Sequence, residues 1–188
     1  MTRIGIILGS TRPGRRGEQV ARWVEARARS RADAEFEVVD LLDHPLPHLD
    51  ELPGEHLHPH TRAWSAVVAS FDGFVVVTPE YNHSAPAALK NALDFLQAEW
   101  RDKAVGFVSY GGAGGARAVE QLRLVCGALE LADVTAQVTL PLATEFEDFA
   151  VLKPGEQSVV ALDRVLDQVV AWSTALAPLR AGSSATAA

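Results

Sequence analysis

Three short runs hold most of the residues able to do chemistry: LGSTRPGRRGE (8–18), TPEYNHSAP (78–86) and SYGGAGGAR (109–117). The first has the spacing of a phosphate-binding P-loop, with Gly9 and Gly14 five residues apart. Arg15 and Arg16, however, stand where that motif needs a lysine and a metal-binding hydroxyl. Without the hydroxyl no metal ion is held beside the phosphates, which argues against a nucleoside triphosphatase, and the GxGxxG of a dinucleotide-binding turn is missing too. What is left is a Ser10/Thr11 hydroxyl pair, the guanidinium groups of Arg12, Arg15 and Arg16, and flexible glycines ahead of a helix start. Backbone N–H groups, the helix dipole and guanidinium forks all favour a terminal phosphate there. The competing reading is a strand-to-helix turn with solvated arginines.

In the second run Pro79, Glu80, Tyr81 and Asn82 follow directly on an apolar stretch. A buried strand tip ending in polar and aromatic residues is hard to justify by packing, and an aromatic beside exposed amides suits a flat heterocycle. Tyr81 serves equally as a capping aromatic, and Ser84 as the N-cap of the next helix with Pro86 near its first turn. In the third run Ser109 and Tyr110 lead into Gly111, Gly112, Gly114 and Gly115, whose missing Cβ atoms let backbone N–H groups approach a ligand. A mobile glycine turn with no ligand is the alternative.

The elements that must position these runs alternate along the chain. RIGIILG (3–9) is a continuous β-branched run, as a central parallel strand buried on both faces requires. GEQVARWVEARARS (17–30) repeats apolar residues at helical spacing, and EFEVVDL (35–41) alternates like a strand nearer the edge. A proline- and histidine-rich stretch, 42–60, reads as a long surface loop. Beyond it the pattern predicts helices over 61–71, 85–99, 116–131 and 155–176, and strands over 74–78, 103–110 and 134–140. Five alternating β/α units call for an α/β fold: a five-stranded parallel sheet covered by helices on both faces. The best match is a flavodoxin-like three-layer sandwich with strand order 2-1-3-4-5. Such sheets bind ligands beyond the carboxyl ends of the strands at the switch point, here between the first and third strands. The three runs lie just after strands one, three and four, where that rule puts them. One domain over 1–179 is expected, with 180–188 (RAGSSATAA) as a disordered tail.

The bulk properties exclude several classes. The 188 residues, 48% hydrophobic, suffice for one core. A net charge of -7 argues against nucleic-acid binding as the main business of the surface, and no apolar run approaches a membrane span. Cys126, the single cysteine, lies in an apolar helical context and reads as a small core residue, so no disulfide framework or thiolate metal site is available and a cytoplasmic protein is expected. A hydrolase lacks its nucleophile, as neither CxxxxxR nor GxSxG occurs. His44, His48, His56, His58 and His60 crowd the proline-rich loop, but alternating spacing in a flexible segment lacks the fixed geometry of a metal centre, and no metal is expected. His83, beside PEYN, suits a ligand contact or a helix-cap neighbour equally.

LGSTRPGR, PEYN and SYGG, in this order at these strand ends, resemble the NADPH-dependent FMN reductase family, which includes quinone, azo-dye and chromate reductases; the similarity runs from about Arg3 to Leu140. The resemblance implies noncovalently bound FMN. It places Ser10, Arg12, Arg15 and Gly17 around the phosphate, and Pro79, Glu80, Tyr81 and Asn82 along the isoalloxazine. Ser109, Tyr110, Gly111 and Gly112 then close the other side. Departures from the family pattern fall at Arg16-Gly17 and at Glu18. The implied activity is hydride transfer from NADPH or NADH to FMN, then two electrons to a small-molecule acceptor such as a quinone, free flavin or azo compound. No catalytic side chain is implied, since the flavin carries the chemistry. The alternative is a nonenzymatic flavin-binding electron carrier or redox-responsive regulator. Relatives commonly associate through the third and fourth helices, so a homodimer or homotetramer is expected, with Trp100 as a candidate contact, pocket-rim or core residue. The His/Pro-rich loop is expected to cover the flavin edge or join that contact.

Overall fold

The computed structural model describes residues 1–52 and 54–186. Strands β1 (Thr2–Leu8), β2 (Ala34–Asp40), β3 (Gly73–Pro79), β4 (Ala104–Gly111) and β5 (Ala132–Pro141) form one parallel sheet in the order β2-β1-β3-β4-β5. Helices α1 (Gly17–Ala28), α2 (Pro59–Ala69), α3 (Ala87–Asp94), α4 (Ala116–Ala128) and α6 (Glu156–Ala175) supply the crossovers and the outer layers.

The β-branched strands dictate this burial. β1, β3 and β4 carry apolar residues on both faces, so each face needs a cover. On one face Val20 and Val24 of α1 and Leu162, Val165, Leu166 and Val169 of α6 pack against Ile4, Ile6, Val75 and Val108. On the other, Trp64 and Val68 of α2, Leu89 and Leu93 of α3, and Leu122 and Cys126 of α4 pack against Ile7, Val76 and Phe107. Cys126 is in the core as expected, and burial pushes its thiol up to about 12.

Several boundaries differ from the sequence expectation. α3 stops at Asp94 instead of running to Glu99, and Phe95, Leu96 and Trp100 beyond it are all buried in the core. Trp100 is therefore a core residue, its Nε1 donating to Leu93 O at 3.1 Å. After β5 come a single turn, α5 (Leu142–Glu145), and a short antiparallel hairpin, β6 (Phe146–Glu147) with β7 (Val151–Leu152). Two-residue strands carry no readable periodicity, so this unit was not foreseen. The segment from Arg180, expected to be a disordered tail, is helical in its described part as α7 (Ala177–Thr186). Arg180 anchors that helix, donating to Asp102 O at 3.0 Å, Ser173 O at 3.0 Å and Asp72 Oδ1 at 2.9 Å. Ala187 and Ala188 lie outside the described residues.

Candidate active site

The loop from Gly9 to Arg16 leaves the tip of β1 and enters α1. Gly9 N–H donates to Val77 O at 2.9 Å, keeping the loop on the sheet. Ser10 is buried, and its hydroxyl meets the Tyr81 hydroxyl at 2.9 Å; Arg12 Nε also donates to Tyr81 Oη, at 3.3 Å. Three of the expected site residues, Ser10, Arg12 and Tyr81, are thus brought together across the β1 and β3 loops.

Arg15 behaves differently. Its guanidinium is buried and turned inward, donating to Asp40 Oδ1 at 2.8 Å, to Glu18 Oε1 at 3.2 Å and to the Ser10 carbonyl. Burial alone would lower its pKa, but the hydrogen bonds and charges of Asp40 and then Glu18 outweigh that and raise it. A guanidinium committed to two carboxylates and a carbonyl braces the loop's shape instead of presenting itself outward. Asp40 was not singled out from the sequence. The signal for it was the fold itself, since β2 pairs with β1 and puts Asp40 opposite Leu8, at the loop's root.

Gly17 opens α1 in a buried position where a Cβ would come within 2.9 Å of Tyr110 Oη. Tyr110 points inward under the loop, its ring against Phe146 at 6.3 Å between centroids, and burial pushes its pKa up. Its side chain is therefore part of the floor, and its backbone is held in the sheet between β3 and β5.

The PEYN run forms a tight turn. Glu80 N–H donates to Tyr110 O at 3.0 Å, and Tyr81 and Ser84 exchange backbone hydrogen bonds of 2.9 and 3.0 Å. Asn82 and His83 between them both have left-handed φ, 50° and 68°, as a type I′ turn requires. Pro79 is buried at the end of β3, whereas Asn82 is exposed at the turn's tip.

Glu80 turns away from this run to the start of α4. Its carboxylate accepts from Arg117 N–H at 3.1 Å and from Arg117 Nε at 2.6 Å. Burial would raise its pKa, but Arg117's hydrogen bond and charge, with the α4 backbone N–H groups, hold it below the usual carboxylate range. Arg117 also lies 2.8 Å from His83 Nε2. Ser109 is wholly buried and donates to Gly114 O at 2.8 Å, fixing the glycine loop from beneath. Gly115 begins α4 at φ 84°, where a Cβ would be 2.6 Å from Ser109 Cβ, so the loop can fold onto β4 only without one. Gly111 and Gly112 arch over it, and a Cβ on Gly112 would meet no atom within 4 Å.

Two helix N-termini thus face the same end of the sheet with opposite treatment. The first turn of α4 is capped by Glu80. That of α1 has no side-chain cap, its N-cap residue being Arg16. An uncapped N-terminus with Ser10 and Arg12 beside it, and open space over Gly14 and Gly112, fits a ligand with a phosphate at one end and a flat ring toward the glycine loop.

The proline-rich loop forms no helix or strand among the described residues between Leu41 and His58. It bounds a cavity of about 250 Å³ with Thr11, His44, Leu46 and Asn91 on its wall. Asp50, Glu51 and His60, in and just past this loop, bring ligand atoms within 4.8 Å of one another. Glu51, however, is committed to the Leu57 N–H and the Thr61 hydroxyl, and His60 to Asp50 at 3.3 Å.

Residues 2–145 match the family model described as NADPH-dependent FMN reductase. An NAD(P)H-dependent FMN reductase of Schizosaccharomyces pombe is 42% identical over 148 residues, 74% of each chain. A 2-hydroxy-1,4-benzoquinone reductase of a Burkholderia species is 34% identical over 136 residues, 69% of this chain and 72% of the relative. Among solved structures, a flavoenzyme NAD(P)H:(acceptor) oxidoreductase from Paracoccus denitrificans superimposes with a TM-score of 0.65 at 21% identity, covering 93% of this chain and 98% of that one.

Proposed function

The chain belongs to the NADPH-dependent FMN reductase family, and from that premise we propose how its residues divide the work of an FMN-dependent NAD(P)H oxidoreductase. FMN, when bound, supplies the two-electron chemistry, accepting hydride from the nicotinamide and passing electrons to a second substrate. Ser10, Arg12 and the N-terminal turn of α1 hold its phosphate; Arg15 and Gly17 shape that loop from within, Arg15 through Asp40. Tyr81 ties the phosphate loop to the PEYN turn, whose Pro79 and Asn82 backbone borders the ring. Glu80, through Arg117, and Ser109, through Gly114, set the Gly111–Gly112 arch, whose N–H groups stabilise negative charge developing on the ring without a titrating side chain. Tyr110 acts through its backbone and as the floor beneath.

The single observation carrying this assignment is the unequal capping of the two helices. The protein stops α4 with its own carboxylate and leaves α1 open to an anion. The acceptor is a small molecule such as a quinone, free flavin or azo compound, a choice supported by the similarity to the benzoquinone reductase. Assembly as a homodimer or homotetramer through α3 and α4 is supported by Leu124 of α4, a leucine left 73% exposed. Among the described residues no helix is long and apolar enough to cross a membrane, and the sole cysteine is buried and unpaired, as suits the cytoplasm.

Visible absorbance of the purified protein, followed by anaerobic titration with NADPH and NADH, tests the reading. A yellow protein bleached by either nucleotide is expected. A colourless one that neither takes up added FMN nor oxidises either donor overturns it.

A further inference from the structure

The β6–β7 hairpin carries a residue that folding does not explain. Its turn runs Glu147-Asp148-Phe149-Ala150, closed by Ala150 N–H to Glu147 O at 2.9 Å, with φ of 49° at Asp148 and 55° at Phe149. That is a type I′ geometry, which calls for glycine at the position Phe149 occupies. A bulky aromatic with left-handed φ is a backbone outlier, and Phe149 regains little by packing, since it is 59% exposed.

The hairpin holding it is firmly placed. Phe146 is buried against Tyr110, Gln19 of α1 donates to Ala150 O and accepts from Leu152 N–H, both at 2.9 Å, and Arg16 Nε donates to the carbonyl of Phe149 itself. The tip is therefore pinned to the first turn of α1, beside the seat assigned above to the FMN phosphate. Arg16 makes that one hydrogen bond and no ion pair among the described residues, so its terminal nitrogens remain available. Of the nearby acids, Glu18 and Glu147 are paired with Arg15 and Lys153, and Asp148 stands exposed in the turn beside Phe149.

We propose that Phe149 and Arg16 form the subsite for the adenosine half of the pyridine-dinucleotide donor. The adenine stacks on the exposed Phe149 ring, and a phosphate of the same half lies on the Arg16 guanidinium. Exposed aromatics serve as sequence-independent platforms for nucleobases, and a guanidinium beside one supplies the phosphate fork. A strained residue kept in place by its surroundings is what a binding role would maintain. This inference rests on the reductase reading of the site.

The test compares the FMN-loaded wild type with Phe149→Gly and Arg16→Gln, using NADPH, NADH and reduced nicotinamide mononucleotide, which lacks the adenosine, as donors. Calorimetric binding of adenosine 2′,5′-bisphosphate gives a readout independent of turnover. Phe149→Gly relieves the turn, so its melting temperature should rise while its KM for NADPH relative to that for the mononucleotide rises about tenfold, the size expected for a lost stacking platform. Its affinity for the bisphosphate should fall by a similar factor. A merely structural Phe149 would show the gain in stability without either loss. Arg16→Gln raising KM for NADPH alone places the 2′-phosphate on Arg16, and raising it for both dinucleotides places the pyrophosphate there. The proposal is overturned if Phe149→Gly binds the bisphosphate as the wild type does, or if the wild type binds none. Failure of the reductase reading is distinct, because the mononucleotide would then not be oxidised either.

Discussion

Arg117 and Glu80 lie 37 residues apart in sequence and meet at the start of α4, where the carboxylate accepts both the backbone N–H, at 3.1 Å, and the side-chain Nε, at 2.6 Å. One residue of the β3 loop thereby closes a helix, neutralises an arginine and fixes the entry of the glycine arch. Glu80→Gln keeps the shape and loses the charge. Charge-assisted bonds at a helix N-terminus contribute on the order of 1–2 kcal/mol, so FMN affinity should drop roughly tenfold in a fluorescence-quenching titration. A larger effect from Arg117→Lys than from Glu80→Gln would show that the arginine acts on the ligand directly. The carboxylate's lowered pKa sets the sign of the acid response: its stabilisation is present above the unfolded value and lost as pH falls through the lower folded one.

Arg15 and Asp40 make a different case, since both belong to the loop's frame. Removing Asp40 leaves the buried Arg15 guanidinium with Glu18 and the Ser10 carbonyl alone, and removing Arg15 leaves Asp40 without its cation, each at a cost of about 1–3 kcal/mol. Arg15→Met and Asp40→Leu should each lower the melting temperature sharply, and the double variant should recover most of the loss. Arg12→Met, on the exposed side of the same loop, should weaken FMN binding and leave the melting temperature of the apoprotein near that of the wild type. Equal effects of Arg12 and Arg15 on FMN binding, with no effect of either on apoprotein stability, would contradict this assignment.

The contrast between these arginines marks how far the sequence could be read. Strand order followed from continuous β-branched runs alternating with amphipathic helices, and with it the convergence of the three loops. The direction of each side chain did not follow. Arg12 and Arg15 look alike in LGSTRPGRRGE, and only the pairing of Leu8 with Asp40 across β1 and β2 shows which of them is spent inside the protein. Tyr81 and Tyr110 look alike as aromatics near strand ends, yet one bonds Ser10 and the other lies under Gly17. Phe149 was invisible for a separate reason: its turn breaks the residue preference by which such hairpins are recognised.

Gly17 tests the packing beneath the phosphate loop. A Cβ there would stand 2.9 Å from Tyr110 Oη and 3.4 Å from Leu8 Cδ2, and Tyr110 is held by Phe146. Gly17→Ala should therefore destabilise by about 1–3 kcal/mol, the usual range for overpacking, and also loosen FMN. Removing the hydroxyl in Gly17→Ala/Tyr110→Phe should restore stability to near that of Tyr110→Phe alone. A double-mutant cycle by chemical denaturation reads the coupling. Independent, additive losses would place the strain elsewhere in the loop.

Lys103, at the opposite end of the sheet from the site, gives the clearest pH signature. Its side chain is buried, donating to Val68 O at 2.7 Å above the Phe74 ring, and burial, with Arg180's charge adding to it, pushes its pKa down to about 8. Between that value and the ordinary 10.5 the unfolded chain binds more protons at this position than the folded one. Stability from this residue accordingly rises with pH across the window, by at most about 1.4 kcal/mol per unit. Cys126 opposes the trend from its unfolded value of 9.0 upward and Tyr110 from 10.0, since the folded thiol and phenol retain their protons there, but both are shared by the wild type and the variant. Urea unfolding of the wild type and Lys103→Met at pH 8, 9 and 9.5 separates the two: the wild type should gain on the variant as pH rises. A difference independent of pH would mean that Lys103 keeps its full charge in the fold, with Val68 O and the Phe74 ring offsetting its burial.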